Sequence, residues 1–349
     1  MKYYIGLDAH KSTSTAVVVK ENGEQVLRET FPTTESNLIG FLGKIDGEKY
    51  LTFEECTLAQ WLFLILKSEV DHLLICNPVF IAKKQGAKTD FRDALHLAQE
   101  LRTNHLKPVY HDNSKWMELR SLVNSYSDLV DNIVATKNRL KALFRSYGLD
   151  TDESDFYKDR EQIKSLPNDV TKFVADSLFS QMESLEKLKA EYALFFHKNK
   201  QRYRPIKNLC TIPGISHVRA NIITAIVCSP HRFQSKHQFW GYCMLVRHIQ
   251  ISGGKIYGNR RVHGRKELRD VFIGAAENAM RGDTSLRDYY DALRVKGIAH
   301  REAKLALARK IASLSIALLK NNDTFKNDFE HQQMERTNIR KTLNLETTI

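Results

Sequence analysis

The chain has 349 residues, of which 42% are hydrophobic and 27% charged; it is long enough for two or three domains with their own cores, and a disordered or low-complexity chain is excluded. Its formal charge of +12 is uneven: residues 1–110 hold 13 Lys/Arg against 14 Asp/Glu, whereas residues 201–270 hold 13 Lys/Arg against Glu267 and Asp270 alone. The basic excess is either a solvated face or the footprint of a polyanion, of which nucleic acid is the usual one, and no apolar run approaches the ~18 residues of a membrane span.

In chain order, strands are expected at residues 3–7, 13–20, 25–32, 50–53, 72–75 and 107–110, and helices at 35–42, 57–67 and 90–104. Asn22-Gly23 between the second and third strands is a hairpin signal. Later strands alternate with helices, which reads as a mixed sheet flanked by helices. Leu119, Leu122, Tyr126, Leu129, Ile133, Leu140, Leu143 and Tyr147 then recur at steps of three and four, interrupted only at Thr136. Gly148 and the acidic stretch 150–155 end that run. A second one carries Val174, Leu178, Met182, Leu185, Leu188, Tyr192 and Phe195. The pair predicts an antiparallel coiled-coil arm, closed either within the chain or against a second copy. Residues 205–325 read as a helical region with a β-like insert at 245–257, followed by a polar tail. The N-terminus, MKYYIGLDAHK, has no apolar stretch leading to a small-residue cleavage site, so no secretory leader is expected. Five cysteines without a CxxC pair fit reduced thiols of a cytosolic protein.

Four acids stand where chemistry could use them. Asp8 ends the apolar run IGLD, and Glu54 ends LTFE, a run of the same shape. Asp90 and Asp93 in KTDFRDA share a helix face by their i, i+3 spacing. If strand ends and a helix start bring the four together, their repulsion favours a dication, and oxygen-only ligands suit Mg2+ or Mn2+. The plain alternatives are a turn residue at Asp8 and first-turn acids favoured by the helix dipole at 90 and 93, with Thr89 or Asp90 as N-cap. Glu55 competes with Glu54 for the second position.

In the basic region, TIPGI at 211–215 joins two helices in a helix-hairpin-helix form. Pro213 and Gly214 there could let backbone N–H groups meet a phosphate, or simply turn the chain. Ser252 precedes two glycines, in a turn that could expose its hydroxyl. Lys255, Arg260, Arg261, Arg265, Lys266 and Arg269 follow it. A serine needs a base, a metal or cationic surroundings to act as a nucleophile, and the same residues also suit an ordinary hairpin.

Together IGLDAHK, LTFEEC, KTDFRDA, TIPGI and SGGK, in that order, resemble the insertion-sequence transposases of the one-ten type, described as bridge-RNA-guided recombinases. The resemblance implies an α/β plus α fold. An RNase H-like (RuvC-like) DEDD domain would span 1–112 and coiled-coil helices 113–200. A mainly helical serine transposase domain with the helix-hairpin-helix-like turn would span 201–325, and a polar tail 326–349. It implies Asp8, Glu54, Asp90 and Asp93 as Mg2+ (or Mn2+) ligands and Ser252 as the nucleophile that forms a phosphoserine intermediate. It implies DNA as substrate, a structured non-coding guide RNA, a dimer or tetramer with the active site assembled between protomers, and a prokaryotic, cytoplasmic, nucleoid-associated protein. Two places depart from the family pattern. ECTLAQW follows Glu54 where E-x-T-G-x-Y is usual, and Met244-Leu245-Val246-Arg247 stands where G-L-x-P is usual. A metal-dependent nuclease or junction resolvase using water, a site-specific invertase, and a non-catalytic nucleic-acid-binding protein are the competing expectations.

Overall fold

The computed structural model describes residues 1–81, 89–112, 115–152, 156–261 and 263–326, with backbone alone at 115, 248–249 and 259–261. The polar tail from 327 and the acids at 153–155 lie outside the described residues. The chain divides into two compact units, Met1–Ser114 and Lys115–Ile349. Among the described residues no helix is long and apolar enough to cross a membrane.

The first unit opens with three antiparallel strands, β1 (Lys2–Ala9), β2 (Thr13–Lys20) and β3 (Gln25–Pro32). α1 (Glu35–Gly43) leads to β4 (Glu48–Glu54), and α2 (Ala59–Leu66) leads to β5 (His72–Cys76). α3 (Asp90–Arg102) follows. Each parallel strand is reached through a helical crossover, and the sheet order is β3-β2-β1-β4-β5. The α/β expectation for this part therefore holds.

Strand alternation sorts the sheet into two faces. Ile5, Leu7, Ala16, Val18, Leu51 and Phe53 pack with Leu38, Phe41 and Leu42 of α1 and Leu62, Phe63 and Leu66 of α2. Val17 and Val19 face the other way, onto Ala94 and Ala98 of α3. The run at 107–110 does not extend the sheet as a strand. It makes one bridge, Cys76 to Pro108, because proline has no N–H to give a ladder.

α3 lies close to the sheet because residue 6 is glycine. A methyl group there would sit 2.0 Å from the Ala94 carbonyl oxygen and 2.6 Å from the Ala98 amide nitrogen. Gly6→Ala is expected to push α3 off the sheet and to destabilise the first unit by about 3 kcal/mol, read as a lower urea midpoint. A midpoint unchanged from the parent would show that α3 accommodates the methyl group.

In the second unit, α4 (Lys115–Arg145) and α5 (Asp169–Arg202) pair antiparallel. Ser125 meets Tyr192 at 2.7 Å, and Lys137 meets Glu186 at 2.9 Å. The arm thus closes within the chain. Its far end has a small core of Leu140, Phe144, Phe156, Leu166, Phe179 and Met182. Its near end contributes Leu119, Val123 and Phe196 to the core of the helices that follow. The expected α5 seam is corrected in phase. Met182 is buried as expected and Leu178, Leu185 and Tyr192 are half-buried, but Val174, Leu188 and Phe195 are exposed, and Ala175, Phe179 and Phe196 are buried in their stead. A 3.6-residue helix drifts from a 3.5-residue repeat, and α5 serves two cores instead of one seam.

The remaining elements are α6 (Arg204–Leu209), α7 (His217–Val227), α8 (Lys236–Tyr242), a hairpin of β6 (Arg247–Ser252) and β7 (Lys255–Arg261), α9 (Lys266–Ala279), α10 (Ser285–Val295) and α11 (His300–Asn321). α7, α9 and α11 bury Ile223, Phe272, Leu307 and Ile311 in one core. The mainly helical expectation with a β insert holds. All five cysteines are free thiols. Cys76, Cys228 and Cys243 are buried, and Cys56 is exposed. Burial pushes the Cys76 thiol up to about 12.

Candidate active site

Asp8 lies one residue past Leu7, at the tip of β1, on the face that α3 covers. α3 begins there. Thr89 is its N-cap, accepting a bond from the Arg92 amide, and Asp90 and Asp93 occupy its first turn. Both roles weighed for these acids are compatible, because the cap is Thr89 and the carboxylates remain available. One donor atom each from Asp8, His10 and Asp90 lies within 4.8 Å of the others.

The Asp8 side chain is 20% exposed. Burial raises its pKa, His10 opposes the rise, and the charges of Asp90 and Asp93 add to it. A carboxylate driven towards its neutral form by burial, with two further carboxylates beside it, is a donor set short of positive charge. The group therefore fits a divalent cation by its oxygen chemistry.

The sheet register separates Glu54 from Glu55. β1 and β4 are parallel, with Leu7 opposite Phe53, so Asp8 and Glu54 follow side by side on the α3 face. Glu55 turns the other way. Its carboxylate meets Nε2 of His111 at 2.6 Å, and the other ring nitrogen of His111 lies 2.8 Å from Gln60. The His111 ring lies against Phe63 of α2. Glu55 is thus engaged on the opposite face.

His10 is absent from the residues expected at this site. Its Nε2 stands 3.3 Å from the Asp8 carboxylate. The two-residue period of a strand places residue 10 on the side of residue 8, which is the signal that points to it.

Ser252 ends β6, and Lys255, its register partner, begins β7. Gly253 and Gly254 between them have φ of 55° and 75°. Two successive positive values make the tight two-residue turn that glycine favours. Ser252 is exposed, and among the described residues no side chain hydrogen-bonds its hydroxyl. Lys255 is also exposed. Lys266 pairs with Asp270 at 2.6 Å, which offsets part of its charge. Arg265 and Arg269 are half-buried, and the side chains of Arg260 and Arg261 lie outside the described residues.

The TIPGI turn joins α6 to α7 as expected, but its glycine faces inward. Gly214 has φ of 88°, and a methyl group on it would lie 2.1 Å from the Ala275 carbonyl of α9. Arg219 donates to the Gly214 carbonyl at 2.8 Å. Packing thus accounts for Gly214. Pro213 is half-buried, and Thr211 and Ser216 on either side are exposed.

Comparison with known proteins bears on both units. A transposase family model of the DEDD IS110 type matches residues 5–148, which include Asp8, Glu54, Glu55, Asp90 and Asp93. The model described as Transposase IS116/IS110/IS902 family matches residues 206–291, which include the PGI turn and Ser252. The chain is similar to the pilin gene-inverting protein of Moraxella lacunata, at 24% identity over 93% of this chain and 98% of that protein. It is similar to the insertion element IS900 uncharacterized 42 kDa protein of Mycobacterium paratuberculosis, at 21% over 92% and 96%. A 114-residue stretch is 28% identical to the insertion element IS110 uncharacterized 43.6 kDa protein of Streptomyces coelicolor, covering 32% of this chain and 28% of that one. With two successive models of one transposase family matched in order along a chain that places acids at a strand tip, this protein belongs to the IS110-type transposases, enzymes that recombine DNA.

Proposed function

We propose that this DNA recombinase uses Ser252 as its nucleophile and a Mg2+ or Mn2+ ion held by Asp8, Glu54, Asp90 and Asp93. The observation that carries the proposal is the convergence of Asp8 with the first turn of α3 on a face that Glu54 shares by register. When bound, such an ion stabilises charge on the phosphoryl oxygens of the transition state. The acids hold the ion; in its absence burial raises the pKa of Asp8, and the charges of Asp90 and Asp93 add to the rise.

In the step proposed for the serine, a bond forms from Ser252 Oγ to phosphorus. A P–O bond to one DNA hydroxyl breaks, and the serine proton leaves as that hydroxyl is protonated. Rejoining reverses the exchange with a hydroxyl from another strand, so no hydrolysis and no outside energy is needed. The exposed tip position of Ser252 and the cationic run after it support this role. In the proposed division of labour, residues 1–112 are the RuvC-like acid domain, 113–200 the helical arm and 201–325 the serine-bearing domain. Exposed Val170, Phe173, Leu188 and Phe195 on α5 are what support self-association into a dimer or tetramer. A structured guide RNA, carried from the family resemblance, is compatible with the basic region 201–270.

The proposal is tested by trapping. The protein, Mg2+ and a nicked duplex of the element boundary, with and without the adjacent transcript, are run on a denaturing gel. A DNA–protein adduct is expected, with its tryptic map placing the bond in the peptide that contains Ser252. DNA cleavage without an adduct would instead support water as nucleophile. A second reading, inversion of a segment instead of transposition, is favoured by the near-full-length similarity to the Moraxella gene-inverting proteins. The two readings share their chemistry.

A further inference from the structure

The β6–β7 hairpin carries more than a serine. Residues 250–257 are exposed on both faces of its tip. Ile251 and Ile256 are register partners, and they are 64% and 68% exposed. Tyr257, beside the register shift, is 73% exposed. A two-stranded ribbon gains little stability by itself, so large apolar side chains held at its end in water call for an apolar partner.

Charge selects among partners. No acidic residue occurs between Leu245 and Lys266, a stretch that carries Arg247, Lys255, Arg260, Arg261 and Arg265. A second copy of the same tip would bring like charges together. DNA offers phosphates for the cations and, between its base pairs, the apolar surface that isoleucine wedges enter.

We propose that Ile251 and Ile256 form a wedge that enters duplex DNA between two stacked bases, opening the step beside the phosphate attacked by Ser252. The position of the wedge relative to the cut rests on the reading of Ser252 as nucleophile; the insertion itself does not. The alternation of a strand puts Ser252 and Lys255 on one face of the tip and the isoleucine pair on the other. The pair can therefore hold a base step apart while the hydroxyl and the cation stay with the backbone.

A wedge prefers DNA in which unstacking is already done. The probe is a labelled duplex of roughly 30 bp, about three helical turns, either fully paired or with a central two-nucleotide bulge and a 2-aminopurine next to it. The full-length protein is expected to bind the bulged duplex about tenfold more tightly and to brighten the 2-aminopurine, as unstacking terms of a few kcal/mol allow. Ile251→Ser with Ile256→Ser is expected to lose most of that preference and the brightening, with paired-duplex affinity within about twofold of the parent, because phosphate contacts carry it. Ser252→Ala is expected to keep both signals. The wedge is overturned if the parent shows no preference, if the double variant keeps it, or if the double variant changes only the molecular mass seen by light scattering, which would make the tip a protein contact. Preference retained alongside failure of the serine adduct would overturn the nucleophile and leave the wedge standing.

Discussion

Asp8→Asn is expected to yield a protein that, in EDTA at neutral pH, melts at a higher temperature than the parent, yet has lost DNA cleavage by about 10³-fold or more. The two effects have one origin. In the folded chain burial raises the Asp8 pKa above its ordinary 3.8, with Asp90 and Asp93 adding to the rise and His10 opposing it. The folded form therefore holds a proton at residue 8 more tightly than the unfolded form does. Below pH 3.8 the group is neutral in both states and costs nothing. As pH climbs from there through the raised folded pKa, ionisation increasingly penalises the fold, and the full penalty is present above it. Asn keeps the shape and removes the charge. The stability gain should thus be largest at neutral pH and disappear in acid. A dication reverses the ranking by binding the folded parent and raising its melting temperature, with little effect on the variant. The loss of cleavage reflects the several kcal/mol that a positioned ion supplies. Melting curves with EDTA and with Mn2+ decide the matter. A parent no less stable than the variant in EDTA, and unmoved by Mn2+, would mean that the acids are surface groups.

Much of the first unit is legible locally. β1 and β2 are short apolar and β-branched runs, and Asn22-Gly23 marks the hairpin into β3, signals that need no knowledge of the rest of the chain. Pro108 could have been read against the strand at 107–110, since it cannot donate to a ladder. The phase of α5 was not legible, because whether Val174 or Ala175 turns inward depends on Phe144 and Phe156, contributed from elsewhere in the chain. The convergence of Asp8 with Asp90 was not legible from spacing either. It depends on Gly6 admitting α3 to the sheet, a contact across more than eighty residues, and only the order of motifs hinted at it. Glu54 and Glu55 could not be separated in sequence. The strand register does so at once, since one shares a face with Asp8 and the other bonds His111. Gly214 looked like a phosphate-binding turn and packs against Ala275, a partner that no local pattern names.

Ser252→Ala is expected to bind DNA within about twofold of the parent and to lose strand cleavage by about 10⁶-fold, the scale seen when an enzyme loses its nucleophile. The substitution is mild structurally. The side chain is at an exposed tip with no hydrogen bond among the described residues, so removing one oxygen leaves neither a cavity nor an orphaned partner, and stability should change by less than about 0.5 kcal/mol. A large kinetic effect with a negligible effect on folding and binding is what separates a reacting group from a supporting one. Water as nucleophile makes the opposite forecast: the acids and their ion would still cut DNA in Ser252→Ala, and the product would be free ends that are not rejoined. The parent itself discriminates further, because a phosphoserine bond conserves the energy of the broken phosphodiester and allows resealing without a cofactor, whereas hydrolysis discards it. Cleavage measured with Mg2+ on a boundary duplex, with resealing scored in the same reaction, therefore reads the identity of the nucleophile twice. Rates in Ser252→Ala equal to those of the parent would remove the serine from the chemistry and leave the acid cluster as the whole catalytic centre.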